Sequence, residues 1–87
     1  MSEFQYDSNK SRSNLKKHGI DFEQAQVLWD DPSLLRVAAR SDDEPRFLII
    51  ARINEQHWSA IVTDRENEIR IISVRRSRTA EVELYES

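Results

Sequence analysis

Hydrophobic residues follow two rhythms along this chain, and the change falls near Pro32. Before it, Phe22, Ala25, Leu28 and Trp29 recur at helical spacing and make one apolar stripe. From Leu34 onward, apolar residues take the period of two that suits a strand. The chain opens with Glu3-Phe-Gln-Tyr6, a short first strand with Phe4 and Tyr6 on alternate positions. Asp7 or Ser8 then caps a helix running to His18, because a short oxygen-bearing side chain accepts from the unpaired first-turn N–H groups. The helix stops at Gly19, the single glycine, which suits a left-handed C′ position with Leu15 and Ile20 placed for the accompanying apolar contact. A second helix opens at Asp21, with Gln24 reaching back as in a capping box, and ends at Pro32. The two helices form a hairpin expected to cover one face of a sheet.

The alternating half predicts strands at Leu34–Ser41, Arg46–Ile53, His57–Thr63 and Glu68–Arg76. Their polar joins, Asp42–Pro45, Asn54–Gln56 and Asp64–Asn67, are too short for parallel crossovers, so the four strands make an antiparallel meander. The last strand holds the longest β-branched run (Ile69, Ile71, Ile72 and Val74) with apolar residues on both parities, which points to a central or partner-covered strand. Ser77 or Thr79 caps a final helix with Val82 and Tyr85 facing inward. The fold class is α+β: a short N-terminal strand plus the four-strand meander, packed on the N-terminal helical hairpin, with a C-terminal helix. Parity sorts the faces. Leu35, Val37 and Ala39, then Phe47, Ile49, Ala51 and Ile53, then Trp58, Ala60 and Val62 are purely apolar sets expected to face the hairpin. Arg70, Ile72, Val74 and Arg76 share one parity of the last strand. The opposite face gathers Leu48, Ile50, Ile61 and Ile72 with arginines at its margins. An apolar patch of that kind marks a docking surface for a partner or a second copy, with the last helix as the competing cover.

Eighty-seven residues make one domain, 1–87. Without cysteine there are neither disulfides nor thiolate metal sites, and no apolar run reaches membrane-spanning length or resembles a signal-peptide core. A cytoplasmic location is expected. The net charge of −3 argues against indiscriminate coating of nucleic acid. The charges are segregated, however: Lys10, Arg12, Lys16 and Lys17 lie together, a second basic group runs from Arg65 to Arg78, and acids concentrate elsewhere. A strand that delivers Arg70, Arg75 and Arg76, flanked by Arg65 and Arg78, offers planar donor forks to phosphate. The competing explanation is that these arginines cap the sheet edge and pair with the abundant carboxylates.

Several chemistries lack their residues. His18 and His57 stand at no metal-ligand spacing, one glycine cannot build a phosphate loop, and no nucleophile elbow is present. Metal-free phosphodiester cleavage requires an acid/base and cations for the charge growing on phosphoryl oxygens. Imidazole is the side chain suited to acid/base work at physiological pH, and His18 shares a helix face with Asn14 and Lys10, with Lys17 adjacent. Its competing role is a helix C-terminal histidine favoured by the dipole.

Phe4-Gln-Tyr-Asp7 with Lys10, Asn14-Leu-Lys-Lys-His-Gly-Ile20, Phe22-Glu-Gln-Ala25 and Asp31-Pro32 resemble the opening of the BrnT family. The second half resembles it too, in Arg46-Phe47, Thr63-Asp-Arg65, Ile69-Arg-Ile-Ile-Ser73, Arg75-Arg76, Glu81 and Tyr85-Glu86. The resemblance implies a RelE-like ribonuclease fold, growth inhibition through RNA cleavage, and neutralisation by a DNA-binding BrnA-like antitoxin, in a homodimer or a toxin–antitoxin heterotetramer. The expected activity is a metal-independent endoribonuclease with no cofactor. His18 is the expected acid/base, with Lys17, Arg65 and Arg75 holding the phosphate. Lys10, Asn14, Arg70, Arg76 and Arg78 are expected RNA contacts, and Leu48, Ile50, Arg52 and Ile61 partner contacts. Two departures stand out: Arg78 is followed by Thr79-Ala-Glu-Val82 where the family's last helix is arginine-rich, and Ala51 stands where members often carry glycine. The first leaves an alternative, a weak or inactive member that acts only as an antitoxin-binding, autoregulatory partner. A nucleic-acid-binding module without catalysis is the third class.

Overall fold

The computed structural model describes residues 3–87; Met1 and Ser2 lie outside the described residues. Helix α1 (Ser8–His18) starts where Asp7 Oδ1 accepts from the N–H groups of Asn9 at 2.8 Å and Lys10 at 3.2 Å. Those bonds, the Lys10 one foremost, hold the Asp7 carboxyl below its ordinary value. Gly19 closes the helix at φ 79°, its N–H donating to Leu15 O at 2.9 Å. This is the single-bond form of the left-handed cap. Ile20 enters the core at 4% exposure while Leu15 stays 44% exposed, so the cap stands on its backbone bond.

The second helical segment, Gln24–Asp30, is a 3-10 helix, where sequence spacing had suggested an α-helix. Its reciprocal cap is as expected: Asp21 Oδ1 accepts from Gln24 N–H at 2.7 Å and Gln24 Oε1 from Asp21 N–H at 3.0 Å. The reason for the tighter winding lies in the stripe itself. Phe22, Ala25 and Leu28 are three apart, and residues i and i+3 eclipse at three residues per turn. All three are fully buried. Covering Phe22 or Leu28 contributes about 1.5–3 kcal/mol each.

Strands β1 (Phe4–Gln5), β2 (Leu35–Ala39), β3 (Arg46–Ile53), β4 (Gln56–Arg65) and β5 (Glu68–Arg76) stand in the order β1-β5-β4-β3-β2. The meander is antiparallel as expected, and β1 adds in parallel outside β5, Phe4 beside Ile69 and Gln5 beside Arg70. The middle strand is β4, and β5 lies inside the sheet between β1 and β4. The mixed parity of β5 has a different cause. Ile61 faces Ser73 while Val62 faces Ile71, so Ile72 is an extra, bulged residue. A bulge resets the alternation. Ile69, Ile71 and Val74 consequently all join the core, and Val74 parts from Arg70 and Ile72.

The core lies between the helical layer and one sheet face, with Ile20, Phe22, Ala25 and Leu28 against Ile49, Ala51, Ala60, Val62, Ile71 and Val74. At β2 the expectation fails. Leu35 pairs with Ile50, Val37 with Leu48 and Ala39 with Arg46, so the apolar set of β2 lies on the far face. The helical layer sits against β3 and β5. Over the rim toward β2, Arg36 places its guanidinium 3.8 Å from the Phe47 ring centroid and bonds Asp64 at 2.6 Å.

Helix α2 (Thr79–Glu86) begins at Arg78, without the expected Ser77 or Thr79 cap. Arg78 N–H donates to Glu81 Oε1 at 2.8 Å, and Ser77 Oγ instead meets Ser59 Oγ at 2.8 Å. Val82 and Tyr85 are half-buried, and no residue of α2 is fully buried. The helix crosses the far face, closing off Ile50, which is fully buried yet outside the core cluster.

Candidate functional site

The inward face of α1 is polar: Ser11 and Asn14 are its buried residues. Ser11 Oγ accepts from Phe22 N–H at 2.9 Å. Asn14 Nδ2 donates to Ile20 O at 2.8 Å and Val74 O at 2.9 Å, and its Oδ1 accepts from Val74 N–H at 3.2 Å. Because β1 ends at Gln5, the outer edge of β5 at Val74 has no strand beside it. The Asn14 carboxamide stands there in place of a peptide, satisfying groups that burial would otherwise strand. Asn14 is thus committed to the fold and ties α1 to β5.

That tie sets the lysines of α1 beside the bulge. Lys10, Ser13, Lys17 and His18 line a shallow groove of about 210 Å³ with Ile72 and Ser73, together with the buried Asn14 and Phe22. Lys10, Lys17 and His18 are exposed. The four ion pairs among the described residues are Arg36–Asp64, His57–Glu86, Arg65–Glu44 and Arg75–Glu81, and none of them involves α1. No carboxylate lines the groove.

The arginines expected to complete the site lie elsewhere. Arg65 pairs with Glu44 at 3.2 Å and stands opposite Glu68, at the far end of the strands from Arg75. Arg75, opposite Ser59 on the far face, gives Glu81 two parallel bonds of 2.7 Å. Ser59 Oγ adds a third bond to Glu81, at 2.8 Å. Arg75 foremost, with the Arg78 N–H and Ser59, pulls the Glu81 carboxyl down to about 2, and Glu81 raises Arg75 in turn. About 20 Å of strand separates Arg65 from Arg75, at roughly 3.3 Å per residue. His18 and Lys17 therefore share a groove that Arg65 and Arg75 do not enter. Arg70 is half-buried, with Nη1 donating to Gln5 Oε1 at 3.3 Å. Arg76 lies over Trp58, 5.5 Å from its centroid, and Arg78 starts α2. Among the expected partner contacts, Leu48 and Ile61 are half-buried on the far face, Ile50 is closed off within the chain, and Arg52 is exposed.

Sequence reasoning missed Ser73, which enters the groove because the bulge sits beside it. It also missed a polar seam beneath the end of α2. Asp31 accepts from Tyr85 Oη at 2.6 Å and from the N–H groups of Ser33 and Arg52 at 2.8 Å each. Burial works to raise the Asp31 carboxyl, but these bonds outweigh it and hold it low. The same bond pushes the Tyr85 phenol up, so it stays a donor. His57 Nε2 meets Glu86 Oε2 at 2.7 Å, and its ring stands edge-on to Tyr85 at 5.2 Å. The Asp-Pro ending the helical stretch was the available signal for Asp31; nothing local pointed to its partner 54 residues on. Among the described residues, no three His, Cys, Asp or Glu side chains converge as metal ligands.

Two ammonium groups, an imidazole and a hydroxyl around an acid-free groove can hold a phosphodiester and move a proton beside it. Residues 6–81 match the family model described as ribonuclease toxin, BrnT, of type II toxin-antitoxin system. No curated protein matches the chain.

Proposed function

The chain belongs to the BrnT family of ribonuclease toxins of type II toxin–antitoxin systems, and from that premise we propose that it cleaves RNA, without a metal ion, in the groove between α1 and the β5 bulge. The observation that carries this reading is the meeting of unpaired Lys10, Lys17 and His18 with no carboxylate in the lining. His18 takes the proton of a ribose 2′-OH as its oxygen attacks the adjacent phosphorus. The bond to the 5′-oxygen breaks, that oxygen takes a proton from solvent water, His18 returns its proton to solvent, and a 2′,3′-cyclic phosphate remains. Lys10 and Lys17 stabilise the charge growing on the phosphoryl oxygens. A type II toxin has a cognate antitoxin; we take it to be a DNA-binding, BrnA-like protein that silences the toxin in a heterotetramer. No helix among the described residues is long and apolar enough to cross a membrane, and we place the activity in the cytoplasm, where RNA is the substrate.

The ion-paired state of Arg65 and Arg75 favours a second reading, a weak or inactive member that only binds antitoxin. An RNA cleavage assay in EDTA separates the two. Folded His18→Ala loses a hundredfold or more in rate, within the ~10²–10⁴ range for general acid–base catalysis, while Arg65→Ala stays within threefold of wild type. Wild-type cleavage by His18→Ala sinks the mechanism, and intact RNA with the wild-type chain establishes the second reading.

A further inference from the structure

The far face of the sheet is covered only in part, and its cross-strand registers divide it into rows. In the lower row Leu35, Ile50, Ser59 and Arg75 stand in line. Helix α2 crosses there, Glu81 bonding Ser59 and Arg75 while Tyr85 reaches Asp31. In the upper row Arg46 pairs with Ala39, and Thr63 pairs with Arg70. Thr63 Oγ1 donates to Pro45 O at 2.7 Å, closing that end. Between them lies the row of Val37, Leu48 and Ile61, three aliphatic side chains that keep part of their surface in solvent. Rows on one face are two residues apart, so the trough from the α2 row to the arginines spans roughly 14 Å. An α-helix with its side chains is about 10–12 Å across.

Arg46 indicates the chemistry of the occupant. Unlike Arg36, Arg65 and Arg75 it has no ion pair among the described residues, and its Nε is shut from solvent without an acceptor among them. Arg46 shares a shallow pocket with Arg40, Asp42 and Asp43, and a partner's carboxylate on its guanidinium would supply the missing ion pair as a charge-assisted bond. Arg70 in the same row is held by one side-chain bond, to Gln5. We infer that this trough seats an acidic amphipathic helix of the cognate antitoxin, its apolar stripe on Val37, Leu48 and Ile61 and a carboxylate on Arg46. The inference rests on the family assignment for its partner and is independent of the groove chemistry. RNA is the poorer fit. Phe4, Tyr6, Phe47 and Trp58 are packed against the core, which leaves the trough without an aromatic platform for bases. A second copy is also disfavoured, because a two-fold contact sets the same arginine-edged face against itself and brings no carboxylate to Arg46.

The test titrates the full chain with the purified antitoxin encoded beside it, and measures RNA cleavage by the antitoxin-free chain in parallel. Ile61→Asp is expected to weaken antitoxin binding at least tenfold. Arg46→Gln is expected to lower affinity and flatten its dependence on salt, and both variants keep wild-type RNA cleavage. If Ile61→Asp does not fold, Val37→Lys on the neighbouring strand carries the same expectation. Unchanged antitoxin affinity in the folded variants overturns the inference. So does loss of RNA affinity with antitoxin binding intact, or a change confined to self-association in sedimentation. A chain that cleaves no RNA undoes the proposed ribonuclease activity and leaves the antitoxin titration to decide this inference alone.

Discussion

Helix α1 and the sheet both carry dense positive charge, yet they hold it in opposite states. On α1, Lys10, Lys16 and Lys17 form no ion pair among the described residues, and the nearest structural commitment is the Asn14 amide between them. On the sheet, Arg36, Arg65 and Arg75 are each bound to a carboxylate, Arg75 by two 2.7 Å bonds. A paired guanidinium must surrender its partner before it can take a phosphate, whereas a solvated ammonium need only shed counterions. The lesson is that the density of basic residues along a sequence is a poor guide to where an anion binds. The distribution of acids in space decides it.

The comparison can be broken most severely at the tie between its halves. Asn14→Ala leaves three main-chain groups, two on Val74 and one on Ile20, without their acceptor or donor. At about 1–3 kcal/mol for each stranded group, a loss of roughly 4 kcal/mol is expected. Chemical denaturation would measure it, and a loss under about 1 kcal/mol would mean that water replaces the amide freely.

A smaller effect comes from releasing Arg75. Folded Glu81 stays charged down to about 2, against an ordinary 4.5. A carboxyl lowered by folding stabilises fully above its unfolded value and loses that contribution as pH falls from about 4.5 toward 2. The gap sets a ceiling of about 3 kcal/mol. Glu81→Gln should therefore be less stable than wild type at pH 6, and the two should converge near pH 2. Parallel stability curves over that range would show that the pair contributes nothing.

The mildest test sharpens the contrast without touching the fold. Changing Lys10 and Lys17 together to Ala should reduce the slope of log affinity for single-stranded RNA against log salt by about 1.4, at ~0.7 per phosphate contact. Arg36→Ala should leave the slope unaltered. Equal changes in both would erase the distinction between free and paired cations.

The sequence made the meander legible, because hairpin joins this short leave few topologies. It also located the Asp7 and Gly19 caps, whose chemistry is local. What it could not reveal was the bulge at Ile72, where one unpaired residue inverted the parity of everything after it. The face of β2 was also misassigned, because a purely apolar set looks core-bound unless one knows that the helices stop short of the edge. The site divided along the same line. Lys10, Lys17 and His18 share one helix, so spacing alone brought them together. Arg65 and Arg75 depended on the course of two strands and on acids at Glu44 and Glu81 that are distant in one case and behind a turn in the other.

The Asn14–Val74 tie also has a consequence in time. Its two members are 60 residues apart, so the two walls of the groove are synthesised at different times. At roughly 5–20 residues per second of synthesis, Asn14 is joined to the chain about 3–12 s before Val74. A nascent chain that carries every lysine and the imidazole still lacks the wall they work against. The activity proposed for the groove therefore switches on only once β5 has been made.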